Sequence, residues 1–167
     1  SRLKSPYGWA LVLADSEGHL VQELITHTKL NIVSVLDNKE AVTELRDELM
    51  REGVYGHRVT VWQHDDDSVL PFSKGIFNAV VEAAPTQYAS QQLVDYAAPA
   101  TGFVWRAGAD FPINAPALAG SGVWRHQYAN PANSSSTQDK LVGNASGFRL
   151  LCGFGVSVGL RELPPFL

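Results

Sequence analysis

An α/β fold with a mostly parallel sheet and helices on both faces is the architecture this sequence predicts. Three observations carry that expectation. Residues 9–13 (WALVL) are a short continuous apolar run, the pattern of a strand covered on both faces, and residues 31–36 (NIVSVL) read as a second strand. Apolar residues recur at helical spacing between and after them. The alternation repeats over the first hundred residues, as expected of strand–helix–strand units joined by right-handed crossovers.

After the first strand, Leu20, Val21, Leu24 and Ile25 line one face of a helix. After the second, Asp37 and Glu40 have the spacing of a capping box, and Val42, Leu45 and Leu49 form the apolar stripe of a helix ending near Gly53. Residues 58–63 (RVTVWQ) are enriched in β-branched side chains and read as a third strand. Residues 77–81 (FNAVV) read as a fourth. Residues 91–97 make a short helix stopped before Pro99, and residues 102–105 (GFVW) a fifth strand. In such sheets ligands bind at the carboxyl ends of the strands, near the point where strand order reverses.

Beyond Asp110 the character changes. Residues 111–122 (FPINAPALAGSG) are rich in Pro, Ala and Gly and read as a linker. A polar, turn-rich stretch follows, then an apolar, glycine-spaced tail at residues 148–167 able to supply one or two further strands. The expected division is a domain over residues 1–110 and an extension over residues 111–167.

With 167 residues, 45% hydrophobic and 18% charged, the chain has the composition of a globular protein large enough for a proper core. A net charge of −4 argues against a nucleic-acid or anionic-membrane binder, which would show a basic surface. No run of about 18 apolar residues is present, so no membrane span is expected. Cys152 is the lone cysteine, which excludes an intrachain disulfide and a multi-cysteine zinc site. Five dispersed histidines with no i, i+4 pair make no zinc set. No GxSxG elbow or P-loop occurs, so hydrolase and NTPase readings lack support. The four tryptophans are scattered and read as core or interface anchors. The chain begins at Ser1 without a methionine or a signal-peptide pattern; it is expected to be a processed product or an excised piece.

Five pieces in order and spacing across residues 7–106 resemble a class I S-adenosylmethionine-dependent methyltransferase of Rossmann-like fold. They are the turn after Leu13, the second strand running to Asp37, QHDD after the third strand, LPFSKGIFNAVV, and QQLVDYAAPATGFVW. The resemblance implies S-adenosylmethionine as cofactor. The family's first motif places glycines at alternate positions in the turn after strand one, so that cofactor can lie against backbone. Aligning Gly18 with the last of them puts Ser16 and Ala14 on the others and Val12 on the motif's acidic position, with Asp15 displaced into the turn. Such a turn persists with these residues if their φ angles are negative.

The second motif is a carboxylate that accepts hydrogen bonds from both ribose hydroxyls. Leu36 occupies its place and Asp37 follows, either as the ribose ligand or as a helix cap. In the third motif, Asp65 stands where the family accepts from the adenine amino group, with His64 able to flank the ring; the same HDDD run also reads as a solvated loop or, less simply, a magnesium site. Near the fourth strand, Glu82 is a candidate general base and Tyr88 a candidate cap over the methyl group, against the plainer reading of Glu82 as a polar strand end. Residues 122–142, with the pattern W-x-x-x-Y-x-x-x-x-N-S, resemble the opening of a quinoprotein-like β-propeller, which implies a piece of a larger fusion or a relative truncated at its C-terminus. Two readings follow: a methyltransferase-like protein with an eroded cofactor site and unknown acceptor, or a non-catalytic Rossmann-like scaffold that binds a partner.

Overall fold

A computed structural model describes residues 5–64, 69–122 and 140–141. Five strands line up in parallel: β1 (Trp9–Leu13), β2 (Asn31–Leu36), β3 (Val59–Gln63), β4 (Ala79–Glu82) and β5 (Phe103–Trp105). A short β6 (Ile113–Asn114) adds an antiparallel edge, giving the order β3-β2-β1-β4-β5-β6. β6 comes from the stretch whose Pro and Gly content reads as a linker; its pairing with Phe103 and Val104 draws that stretch into the sheet. The chain divides into two units, Ser1–Ala119 and Gly120–Leu167. In the second, the Lys140 N–H donates to Gly120 O at 2.8 Å. The propeller-like pattern over residues 122–142 falls almost wholly outside the described residues.

Strand pleating sorts the apolar side chains into two layers. On one face Ala10, Val12, Ile32, Leu36, Val59, Val61 and Ala79 pack against Val21 of α1 (His19–His27) and against Val42, Leu45 and Leu49 of α2 (Lys39–Arg51). On the other, Leu11, Leu13, Val33, Val35, Val80 and Val104 pack against Leu93, Val94 and Tyr96 of α3 (Ser90–Tyr96). Leu11, Val12 and Val80 are fully buried; each such side chain contributes roughly 1.5–3 kcal/mol. An edge-to-face ladder of Trp62, Phe72 and Phe77, with centroids 5.9 and 5.6 Å apart, runs along the second face. No helix among the described residues is long and apolar enough to cross a membrane.

The start of α2 differs from the capping box that Asp37 and Glu40 suggest. Asn38 is the N-cap, with extended backbone and its Oδ1 accepting from the Ala41 N–H at 2.9 Å. β2 ends at Leu36, so the chain needs one residue more to turn before the first helical position. Glu40 therefore sits one place too early to reach back to the cap. Asp37 is left exposed between strand and cap, outside the helix.

Candidate functional site

β1 and β4 are neighbours, and the chain leaving β1 leads to α1 on one face while that leaving β4 leads to α3 on the other, so the two connections diverge above the carboxyl ends of these strands. Two cavities open there. The larger, about 710 Å³, is lined by residues from the β1–α1 turn, the end of β4 and the end of β5. The smaller, about 160 Å³, is lined by Leu36, Asp37 and His64 at the ends of β2 and β3 and by Pro85–Tyr88 after β4. Ala14 lines both and stands between them.

The β1–α1 turn keeps its shape without negative φ throughout. Ala14 has φ 57, a left-handed conformation that costs a residue with a β-carbon about 1–2 kcal/mol; its N–H donates to Val35 O at 3.1 Å. Asp15 is buried, and its Oδ2 accepts from the Val21 N–H at 2.8 Å, capping the first turn of α1 where Gly18 has no side chain to do so. Ser16 and Glu17 are exposed on the larger cavity, and Glu17 lies 3.2 Å from the His19 ring. Gly18 lines neither cavity; its carbonyl accepts from Gln22 as α1 begins.

Asp37 and His64 come together because β2 and β3 end in register. Leu36 pairs with Gln63, and the His64 N–H continues the ladder by donating to Leu36 O at 2.8 Å. His64 Nε2 is buried and has no hydrogen-bond partner among the described residues. Tyr88, buried on the second core face, closes the same cavity. Asp65 lies outside the described residues. The candidate residues thus fall into two groups: Asp15, Ser16 and Glu82 on the larger cavity, and Asp37, His64 and Tyr88 on the smaller.

Glu82 has a partner that the sequence pattern did not single out. Its side chain is 1% exposed and Arg106 grips both oxygens, Nε donating to Oε2 at 2.6 Å and Nη2 to Oε1 at 3.1 Å. The Thr86 hydroxyl also donates to Oε1. Nη1 of Arg106 donates to Ser90 Oγ at 3.0 Å. The register Val81↔Trp105 makes the pairing inevitable, since the next residues of two parallel strands, Glu82 and Arg106, then stand side by side. A cation directly after the apolar FVW run was the available signal. The paired, buried Glu82 is a wall of the larger cavity, whose lining is apolar at Leu20, Val81, Phe103 and Trp105 and polar at Ser16, Glu17 and His19.

At Lys74 and Asp95, 2.7 Å apart, a hydrogen bond raises the ammonium pKa above its ordinary value, while the bond from Lys74 lowers that of the carboxyl. Among the described residues no three His, Cys, Asp or Glu side chains converge as metal ligands.

No family model matches the chain, and no curated protein matches it. Solved structures do. Geranyl diphosphate C-methyltransferase from Streptomyces coelicolor, bound to S-adenosyl-L-homocysteine, is similar at 12% identity and TM-score 0.54, over 77% of this chain and 44% of that one. Coclaurine N-methyltransferase, also bound to S-adenosylhomocysteine, is similar at 12% identity and TM-score 0.51, over 60% of this chain and 29% of that one. The cyclase SpnF is similar at 16% identity and TM-score 0.51, over 67% and 47%. The chain spans less than half the length of each of these three structures. Identities this low speak for fold alone, and a cyclase among the neighbours marks how far fold and reaction separate. The described α/β unit has the class I S-adenosylmethionine-dependent methyltransferase fold.

Proposed function

We propose that this domain binds S-adenosylmethionine across the two cavities and directs its methyl group to an acceptor in the larger one. The observation that carries the reading is the meeting of Asp37 and His64 on one cavity, with a buried His64 Nε2 that lacks a partner. A buried nitrogen left unsatisfied is costly, and a nucleoside edge would satisfy it. In this reading Asp37 accepts from the ribose hydroxyls, His64 and Asp65 hold the adenine, and Tyr88 closes the nucleoside end. Ala14 is crossed on the way to Asp15, Ser16 and the α1 N-terminus, which take the methionine end with Gly18 shaping the turn behind them. The cofactor supplies an electrophilic methyl group. The chain's own residues contribute placement and a dry apolar wall, which is most of what such a transfer requires. Glu82, with both oxygens engaged, contributes by holding that wall in place rather than by taking a proton.

The smaller cavity favours a second reading. Its 160 Å³ falls below the roughly 300–1,000 Å³ usual for ligand sites, as expected of a Rossmann-like scaffold that keeps the fold without the ligand. Isothermal titration with S-adenosylhomocysteine separates the two. Micromolar binding supports the cofactor reading, and Asp37→Ala or Asp65→Ala then weakens it about 10- to 150-fold, the equivalent of roughly 1.5–3 kcal/mol for hydrogen bonds to a charged acceptor. No binding at millimolar ligand retires the cofactor reading and leaves the scaffold.

A further inference from the structure

The segment of residues 83–89 between β4 and α3, like the β1–α1 turn at Ala14, walls both cavities: Ala83 and Ala84 face the larger, Pro85–Tyr88 the smaller. Tyr88 is its one buried side chain, anchored in the core beneath α3. Ala83, Ala84, Pro85, Gln87 and Ala89 are all exposed. Its ends are tied by the Ala83 N–H to Leu13 O and by Ala89 O to the Leu93 N–H. Between those ties Thr86 is gripped twice by the ion pair, through its hydroxyl on Glu82 and through its carbonyl, which accepts from Arg106 Nη2 at 3.5 Å. Arg106 also reaches Ser90 at the first turn of α3. One guanidinium therefore joins the ends of β4 and β5, the middle of the segment and the helix after it. A planar fork does this and a point charge does not.

We infer that Arg106 is a positioning residue: it fixes the 83–89 segment, and through that segment it sets the shape of the smaller cavity, which it does not line. Its link to ligand affinity rests on the proposed cofactor reading; the bracing itself does not. Two measurements keep these apart. Amide hydrogen exchange on the ligand-free chain reads the segment, and titration with S-adenosylhomocysteine reads the cavity. Two variants are compared. Arg106→Lys keeps the charge and loses the fork. The double variant Glu82→Leu with Arg106→Met removes both charges, so no buried ion is left unpaired and the fold is retained.

In both variants exchange at residues 84–89 is expected to rise at least tenfold while β1 and β2 amides stay protected, and affinity for S-adenosylhomocysteine to fall about tenfold. Wild-type protection of the segment in the double variant overturns the inference. So does a loosened segment with unchanged affinity, or an Arg106→Lys chain that behaves as wild type in both measurements. If the wild-type chain does not bind S-adenosylhomocysteine, the proposed function falls, while exchange still decides the bracing.

Discussion

Gly18 faces Leu45: a β-carbon built on Gly18 would stand 2.7 Å from Leu45 Cδ1, and Gly18 holds φ +72. The glycine that survives in the β1–α1 turn is thus held by the approach of α1 to α2 and by a left-handed backbone. It lines neither cavity. Its presence is explained by packing under both functional readings, so it does not discriminate between them. Gly18→Ala is expected to destabilise the fold by about 1–3 kcal/mol, the left-handed penalty plus a small displacement of the Leu45 tip. Chemical denaturation measures it; a change below about 0.5 kcal/mol would show that neither the left-handed backbone nor the contact with Leu45 constrains this position.

Ser34 lies at the centre of β2, fully buried, and its hydroxyl has no hydrogen-bond partner among the described residues. It shares its face with Ile32 and Leu36, beneath α2. A lone buried hydroxyl costs about 1–3 kcal/mol, and removing it leaves only a small void. Ser34→Ala is therefore expected to raise stability by about 1 kcal/mol. A loss of stability of that size would instead reveal a partner for the hydroxyl.

The Tyr96 hydroxyl both accepts from the Leu70 N–H and donates to Leu70 O, each at 3.1 Å, with both residues buried. This double bond pattern fastens the approach to β4 onto α3. Tyr96→Phe keeps the ring and strands one donor and one acceptor, so a loss of about 2–4 kcal/mol is expected for two unsatisfied buried groups. Thermal unfolding of the variant reads it, and a neutral result would mean that water replaces the hydroxyl.

The parallel sheet was legible because its strands are short runs dominated by apolar and β-branched residues, whose meaning does not depend on distant partners: residues 9–13 and 31–36 are β1 and β2 to the residue. β6 was not, since two exposed residues, Ile113 and Asn114, carry no periodicity and are set by the edge of β5. The same holds at the cavities. Asp37 and His64 were visible from their positions just past strands two and three. Arg106 was marked only as a cation just past the FVW run; its pairing with Glu82, 24 residues away, leaves no local pattern without the register that sets the two side by side. The α2 cap was misplaced by one residue because Asp37 and Asn38 are both good cap residues, and the pattern does not say how many residues the chain spends turning after Leu36.

Ala14 connects stability and ligand in one substitution. It holds φ 57 and lies between the two cavities, so its β-carbon carries strain and occupies the saddle that a cofactor would cross. Ala14→Gly removes both. Relief of the left-handed strain, about 1–2 kcal/mol, exceeds the roughly 0.4–1 kcal/mol lost to a freer unfolded chain, so a net gain of about 0.5–1 kcal/mol is expected on either functional reading. The cofactor reading adds a second consequence: S-adenosylhomocysteine binds at least threefold more tightly to Ala14→Gly than to the parent. A more stable chain with unchanged ligand affinity would separate the two effects, leaving Ala14 as strain in the turn and removing it from the path of the cofactor.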